Sequence, residues 1–124
     1  ADRQRVTRLF EQAARKNIAI ERRSLSADSL QELMKPHDHI VMALVDRRLL
    51  DRYLNRPPPS SVSGFVESCI SNCFGGYIGH YVLITGYDAE QQGYYIMDPA
   101  KSHDPTLISC AVVDLARRSH GTDE

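Results

Sequence analysis

The sequence predicts an α+β domain with helices packed on one side of a mostly antiparallel sheet. Three observations predict it. An apolar stripe of helical spacing opens the chain, a second helical pattern closes it, and residues 79–100 between them read as two strands joined by a short polar connection. The predicted order, αβαβ, then ββ, then α, is that of an α+β domain. At 124 residues the chain suits a single domain, 1–124, long enough to bury a core.

Residues 3–16 carry Val6, Leu9, Phe10, Ala13 and Ala14, the stripe of an amphipathic helix. Asn17 follows where a left-handed residue often ends a helix. Residues 18–22 alternate and predict a short strand. Ser26 then caps a helix that carries Asp28 in its first turn and Leu30, Leu33 and Met34 on its apolar side, and Pro36 ends it. The apolar run within residues 39–46 predicts a strand buried on both faces. Residues 49–54 predict a helical turn or a little more, and Arg56-Pro-Pro-Pro-Ser-Ser a polyproline-type loop.

The hairpin comes next. Strict alternation places Tyr81, Leu83 and Thr85 on one face and His80, Val82, Ile84 and Gly86 on the other. Residues 88–93 form the turn, with Gly93 free to take a positive φ. Pro99 cannot donate to a ladder, so the second strand stops at Asp98. An irregular segment containing Pro105 leads to a last helix over residues 111–119, and Gly121 is placed to end it.

Composition excludes several function classes. The net charge is −1 and no like-charge block occurs, so nothing points to nucleic acid or an anionic membrane surface. The basic residues near the start alternate with acids and read as a solvated helix face. No apolar run approaches 18 residues, which argues against a membrane-spanning helix. The three cysteines are an odd number without a disulfide framework, as expected of a cytoplasmic protein. Ala1 stands inside a helical pattern and Glu124 inside a polar phrase, so the chain reads as a fragment of a longer protein.

His80 and Asp98 are the candidate catalytic residues. A hairpin returns its first and last residues to the same end of the sheet, where imidazole and carboxylate can form a hydrogen bond. Histidine titrates near neutrality and can take a proton from a nucleophile. A carboxylate holds its tautomer and stabilises the imidazolium. The bland alternative is an edge-strand histidine and a turn aspartate. Cys69, Cys73 and Cys110 read as structural or surface thiols. None is expected at a helix N-terminus, where a thiol is activated. The C-x3-C-x6-H spacing of Cys69, Cys73 and His80 is a poor match to zinc sites, even with His103 or Cys110 as a fourth ligand. Gly75, Gly76 and Gly79 lack a phosphate-binding fingerprint and read as a loop. Asp46, Asp88 and Asp98 stand at strand ends, where two converging carboxylates could hold Mg²⁺. His37, His39, His103 and His120 read as loop or surface residues.

Phrases across most of the chain resemble the guanylyl cyclase domain-containing family of plants and animals, the plant members most of all. They are R-V-T-R-L-F-E-Q-A, H-D-H-I-V-M-A-L-V-D with L-L-D nearby, S-C-I-S, G-H-Y-V-L-I-T-G-Y-D, D-P-A and A-R-R-S-H-G-T-D-E. The resemblance implies a papain-like fold of the bacteriocin-processing peptidase type, with the N-terminal part missing. In such folds a helix-borne cysteine faces a strand histidine and an Asp or Asn after the next strand. His80 and Asp98 take the last two positions. The family's cysteine lies in a D-C-G-x-A-C phrase that this sequence lacks, and residues 72–76 look like an insertion, so Cys73 inherits no role.

The family name implies conversion of GTP to cyclic GMP, with Mg²⁺ or Mn²⁺ accompanying the nucleotide. One alternative is a thiol hydrolase using His80 and Asp98 with a cysteine upstream of this chain. Another is a non-catalytic binding domain of the same fold.

Overall fold

The computed structural model describes residues 2–55, 76–101 and 104–119. Helix α1, Asp2–Ala13, forms where the stripe predicts it and tightens into a 3₁₀ turn, Ala14–Lys16. Asn17 closes that turn in the left-handed conformation, φ 56° and ψ 33°. The apolar side of α1 is not packed away: Val6 and Leu9 are exposed and Phe10 is 60% exposed, while Ala13 is buried.

The strand predicted over residues 18–22 does not form; the segment is irregular, and Ile18 and Ile20 are exposed. Alternation makes a strand only where a neighbour completes the ladder, and among the described residues none pairs with it.

Helix α2, Ala27–Met34, starts as its cap predicts. The Ser26 hydroxyl accepts the Ser29 N–H at 3.1 Å. Leu30 and Met34 are buried and Pro36 stands just past its end.

Strand β1, Val41–Asp46, departs from the expectation of two buried faces. Among the described residues it is an edge of a four-stranded sheet, whose order is β1-β2-β3-β4. Val45 is fully buried while Met42 is 69% exposed. The apolar run therefore supplies one core face and one open face. Helix α3, Arg47–Asn55, follows without a loop and is longer than the predicted turn.

Strand β2, Gly79–Asp88, pairs antiparallel with β1 and with β3, Gly93–Met97. Strand β4, Thr106–Ser109, was predicted to be irregular but pairs with β3, and α4, Cys110–Arg117, follows directly. Four residues after a proline carry too short a pattern to announce a strand.

Two details of the hairpin differ from the sequence reading. The first is a β-bulge. Ile84 pairs with Ile96, but Gly86 pairs with Tyr95, so the register shifts at Thr85. Thr85 donates its hydroxyl to the Tyr95 carbonyl at 3.2 Å. His80, Val82 and Ile84 do share the core-facing side, but Gly86 faces away with Tyr95. Tyr87 takes the core position opposite Tyr94, their ring centroids 5.6 Å apart.

The second detail is Gly93. The positive φ falls on Gln92, at 49°. Gly93 serves a close approach instead. A Cβ there would meet Leu107 Cδ1 at 2.8 Å and the Ile108 carbonyl at 3.2 Å.

The core joins Leu30 and Met34 of α2, Leu49 and Leu50 of α3 and Val112, Val113 and Ala116 of α4 to the inner sheet face. Full burial of each large aliphatic side chain contributes roughly 1.5–3 kcal/mol. Tyr81 on the outer face is 58% exposed. Helices α2, α3 and α4 thus cover one face of an antiparallel sheet, as predicted, while α1 adds nothing to that core.

Candidate functional site

His80 lies at the start of β2, opposite the buried Val45 of β1, and points to the core-facing side. Continuing the β2–β3 ladder one step past Met97 sets Asp98 opposite Val82, on that same side. Pro99 halts the strand there. The chain turns, with the Lys101 N–H donating to the Asp98 carbonyl at 3.1 Å and the Ala100 N–H donating to Asp98 Oδ1 at 2.9 Å. The turn fixes the carboxylate, and His80 Nε2 meets Oδ1 at 2.7 Å. The sequence-predicted pair is therefore brought together, with side chains 19% and 17% exposed.

Burial works against charge on Asp98, but the hydrogen bonds from His80 and the Ala100 N–H, with the fields of His80 and Lys101, outweigh it. They hold the carboxyl below its ordinary range. An ionised Asp98 requires the proton on Nε2, which leaves the lone pair of the neutral ring on Nδ1. The arrangement can accept a proton at Nδ1 and stabilise the resulting imidazolium.

A pocket of about 40 Å³ adjoins the pair, lined among others by Arg47, Leu50, Asp51, Val82, Ile96 and Lys101. Asp51 joins two elements across it. It accepts from Arg47 Nε one helical turn back on α3 at 3.4 Å, and it pairs with Lys101 Nζ from the turn after β3. The sequence reading missed this cluster. The Arg47–Asp51 spacing is visible in the sequence, but nothing local brings Lys101 to it.

The other strand-end carboxylates do not converge on the site. Asp46 is 1% exposed and caps α3, its Oδ1 accepting the Arg48 N–H at 3.1 Å. Its Oδ2 takes Arg48 Nη2 at 2.9 Å and the Ser119 hydroxyl at 3.0 Å. Burial opposes its charge, yet these bonds and the Ile78 N–H pull its pKa down. An aspartate immediately before a helical pattern was the available signal for this cap. Asp88 lies in the hairpin turn, bonded to Gln91 and Tyr95. Among the described residues no three His, Cys, Asp or Glu side chains gather as a metal site.

Cys110 corrects one expectation: it is the first residue of α4, at a helix N-terminus after all. Burial nevertheless pushes its thiol pKa up. Its N–H donates to the Gln92 carbonyl at 2.9 Å, which places it at the turn end of the hairpin. His80 and Asp98 occupy the open end, on the order of 14 Å away along β3. A larger cavity of about 540 Å³ opens at that turn end between α2 and α4. Its one carboxylate, Asp114, is engaged by Arg117 and Arg118. His37 and His39 are exposed, as expected. Cys69, Cys73, Gly75, His103, His120, Gly121 and the polyproline-type loop lie outside the described residues.

An α+β domain that holds a histidine against a carboxylate at an open strand end has the equipment to activate a hydroxyl or a thiol. Comparison with known proteins gives the family. A family model described as guanylylate cyclase matches residues 1–124. "Guanylyl cyclase 1" of Arabidopsis thaliana is 36% identical over 120 residues, which cover 97% of this chain and 41% of that relative. The chain belongs to the guanylylate cyclase family, and it spans well under half the length of that relative. No solved structure matches it. What the structure shows of the expected fold is the α+β arrangement itself. No described helix is long and apolar enough to cross a membrane.

Proposed function

We propose that this domain supplies the general base for conversion of GTP to cyclic GMP, and that His80 is that base. The observation that carries the reading is the 2.7 Å contact between His80 Nε2 and Asp98 Oδ1, which leaves Nδ1 as the basic nitrogen. His80 takes the proton of the ribose 3′-hydroxyl. The 3′ oxygen forms its bond to the α-phosphorus as the bond from that phosphorus to the leaving pyrophosphate breaks. Asp98 stays ionised and steadies the imidazolium until the proton passes to solvent. The family supports the substrate. A triphosphate brings Mg²⁺ or Mn²⁺ to such a reaction; among the described residues no ligand set for it is assembled. A protein of the length of the family relative, carrying this domain, forms cyclic GMP from GTP, and His80→Ala or Asp98→Asn removes the product. Product no greater than in a heat-killed control overturns the reading.

A second reading is favoured by one observation, the placement of the two residues. A histidine on a strand and an aspartate just past the next strand suit a papain-like thiol hydrolase whose cysteine comes from outside the described residues. That enzyme predicts labelling of the longer protein by a thiol-directed probe, weakened by His80→Ala. Equal labelling in both proteins counts against it.

A further inference from the structure

Asp51, on the wall of the pocket beside His80, pairs with two cations of the same lining. The pocket's 40 Å³ has room for a water or two, far below the hundreds of Å³ that a substrate needs. Arg47 and Lys101 line it from two different elements, α3 and the turn after β3, and both are spent on Asp51. A carboxylate held between two converging cations occupies the position that an oxyanion of a ligand would take. Asp98 and Asp104 also stand on the lining, Asp98 committed to His80.

The geometry points to an anion-binding clamp: Arg47 and Lys101 recognise a phosphate group of the substrate, and Asp51 is an internal competitor that keeps the clamp shut until that group displaces it. This inference rests on the reading of His80 as the base of a phosphate-bearing substrate. It adds the residues that hold the anion and the means by which the empty site stays closed. Arg47, Asp51 and Lys101 are each about one third or more exposed, so the ion pairs are weak enough to exchange. Arg47 and Lys101 are then binding residues, and Asp51 a regulatory one.

The test is calorimetric titration of the full chain with inorganic pyrophosphate, with acetate as the carboxylate control. Removing the competitor in Asp51→Asn tightens pyrophosphate binding about five- to tenfold, the size expected for the loss of two exposed ion pairs. Adding Arg47→Ala and Lys101→Ala abolishes the gain. Asp51→Ser replaces Asp51→Asn if circular dichroism shows the latter unfolded. Unchanged affinity in the Asp51 variant, or a gain that survives loss of both cations, overturns the clamp. An equal gain for acetate overturns its preference for phosphate. Because the readout is binding of pyrophosphate alone, the clamp can fail while His80-dependent turnover stands, and turnover can fail while the clamp stands.

Discussion

Asp46 and Asp98 close two strands at the same end of the sheet, on either side of the start of β2. Both have depressed pKa values, and in both burial is overcome by hydrogen bonds. They differ in the partner. Asp46 is sealed in the interior and faces Arg48, a permanent cation, with a helix N–H, the Ile78 N–H and the Ser119 hydroxyl filling its other positions. Asp98 is partly open and faces an imidazole, His80, rather than a guanidinium. The first arrangement ties β1, α3 and the end of α4 together. The second can do chemistry. A depressed carboxylate at a strand end therefore does not by itself identify a site.

Substitution separates the two carboxylates. The largest effect is expected at the open pair. If His80 is the base proposed above, His80→Ala lowers the rate of cyclic GMP formation by a longer family protein about 10³-fold, in the range that a general base contributes, while leaving the urea-unfolding midpoint near wild type. A large loss of stability instead would make His80 a structural residue like Asp46. Next is the sealed pair. Arg48→Ala strands a buried carboxylate and costs about 3 kcal/mol in urea unfolding. A cost under about 1 kcal/mol, the range of an exposed pair, would erase the distinction between the two carboxylates.

Acid gives a smaller and graded effect. Each carboxyl has a folded pKa below its ordinary 3.8, so its contribution to stability is complete above that value and is lost as the pH falls through the folded pKa. The stability gap between wild type and Asp98→Asn, measured by urea unfolding, accordingly narrows below about pH 4. A gap that widens on acidification would mean that Asp98 is protonated in the fold. The smallest effect belongs to the third strand-end carboxylate. Asp88→Asn keeps an oxygen for the Gln91 N–H and lies in the exposed turn, so it shifts the unfolding midpoint less than either of the others and leaves turnover unchanged.

Legibility followed the range of the interactions. The Ser26 cap, the left-handed Asn17 and the ends of the hairpin are set by neighbours in the chain, and they were readable. So was the His80–Asp98 pair, because a hairpin converts sequence separation into proximity. Strand β4 was missed because Thr106 to Ser109 acquires its identity from pairing with β3. The predicted strand at residues 18–22 failed for the converse reason. Met42 was assigned to a buried face because an apolar run does not reveal that helices pack on one face of its sheet and leave the other open. Arg47, Asp51 and Lys101 meet only once α3 has docked beside the turn after β3.

The bulge at Thr85 has a consequence for how the hairpin tolerates changes in length. The two halves of β2 are out of step by one residue. With strict alternation running back from the buried Tyr87, the residue facing Asp98 would be Tyr81, and His80 would point outward. Deleting Thr85 removes the extra residue and keeps His80 and Tyr87 on one side, so the pair should survive a shortened strand. Inserting one residue between His80 and Ile84 reverses the orientation of His80 while leaving Tyr87 in place. The strand thus has a reading frame: a deletion is silent at one position, and an insertion a few residues earlier is a frameshift.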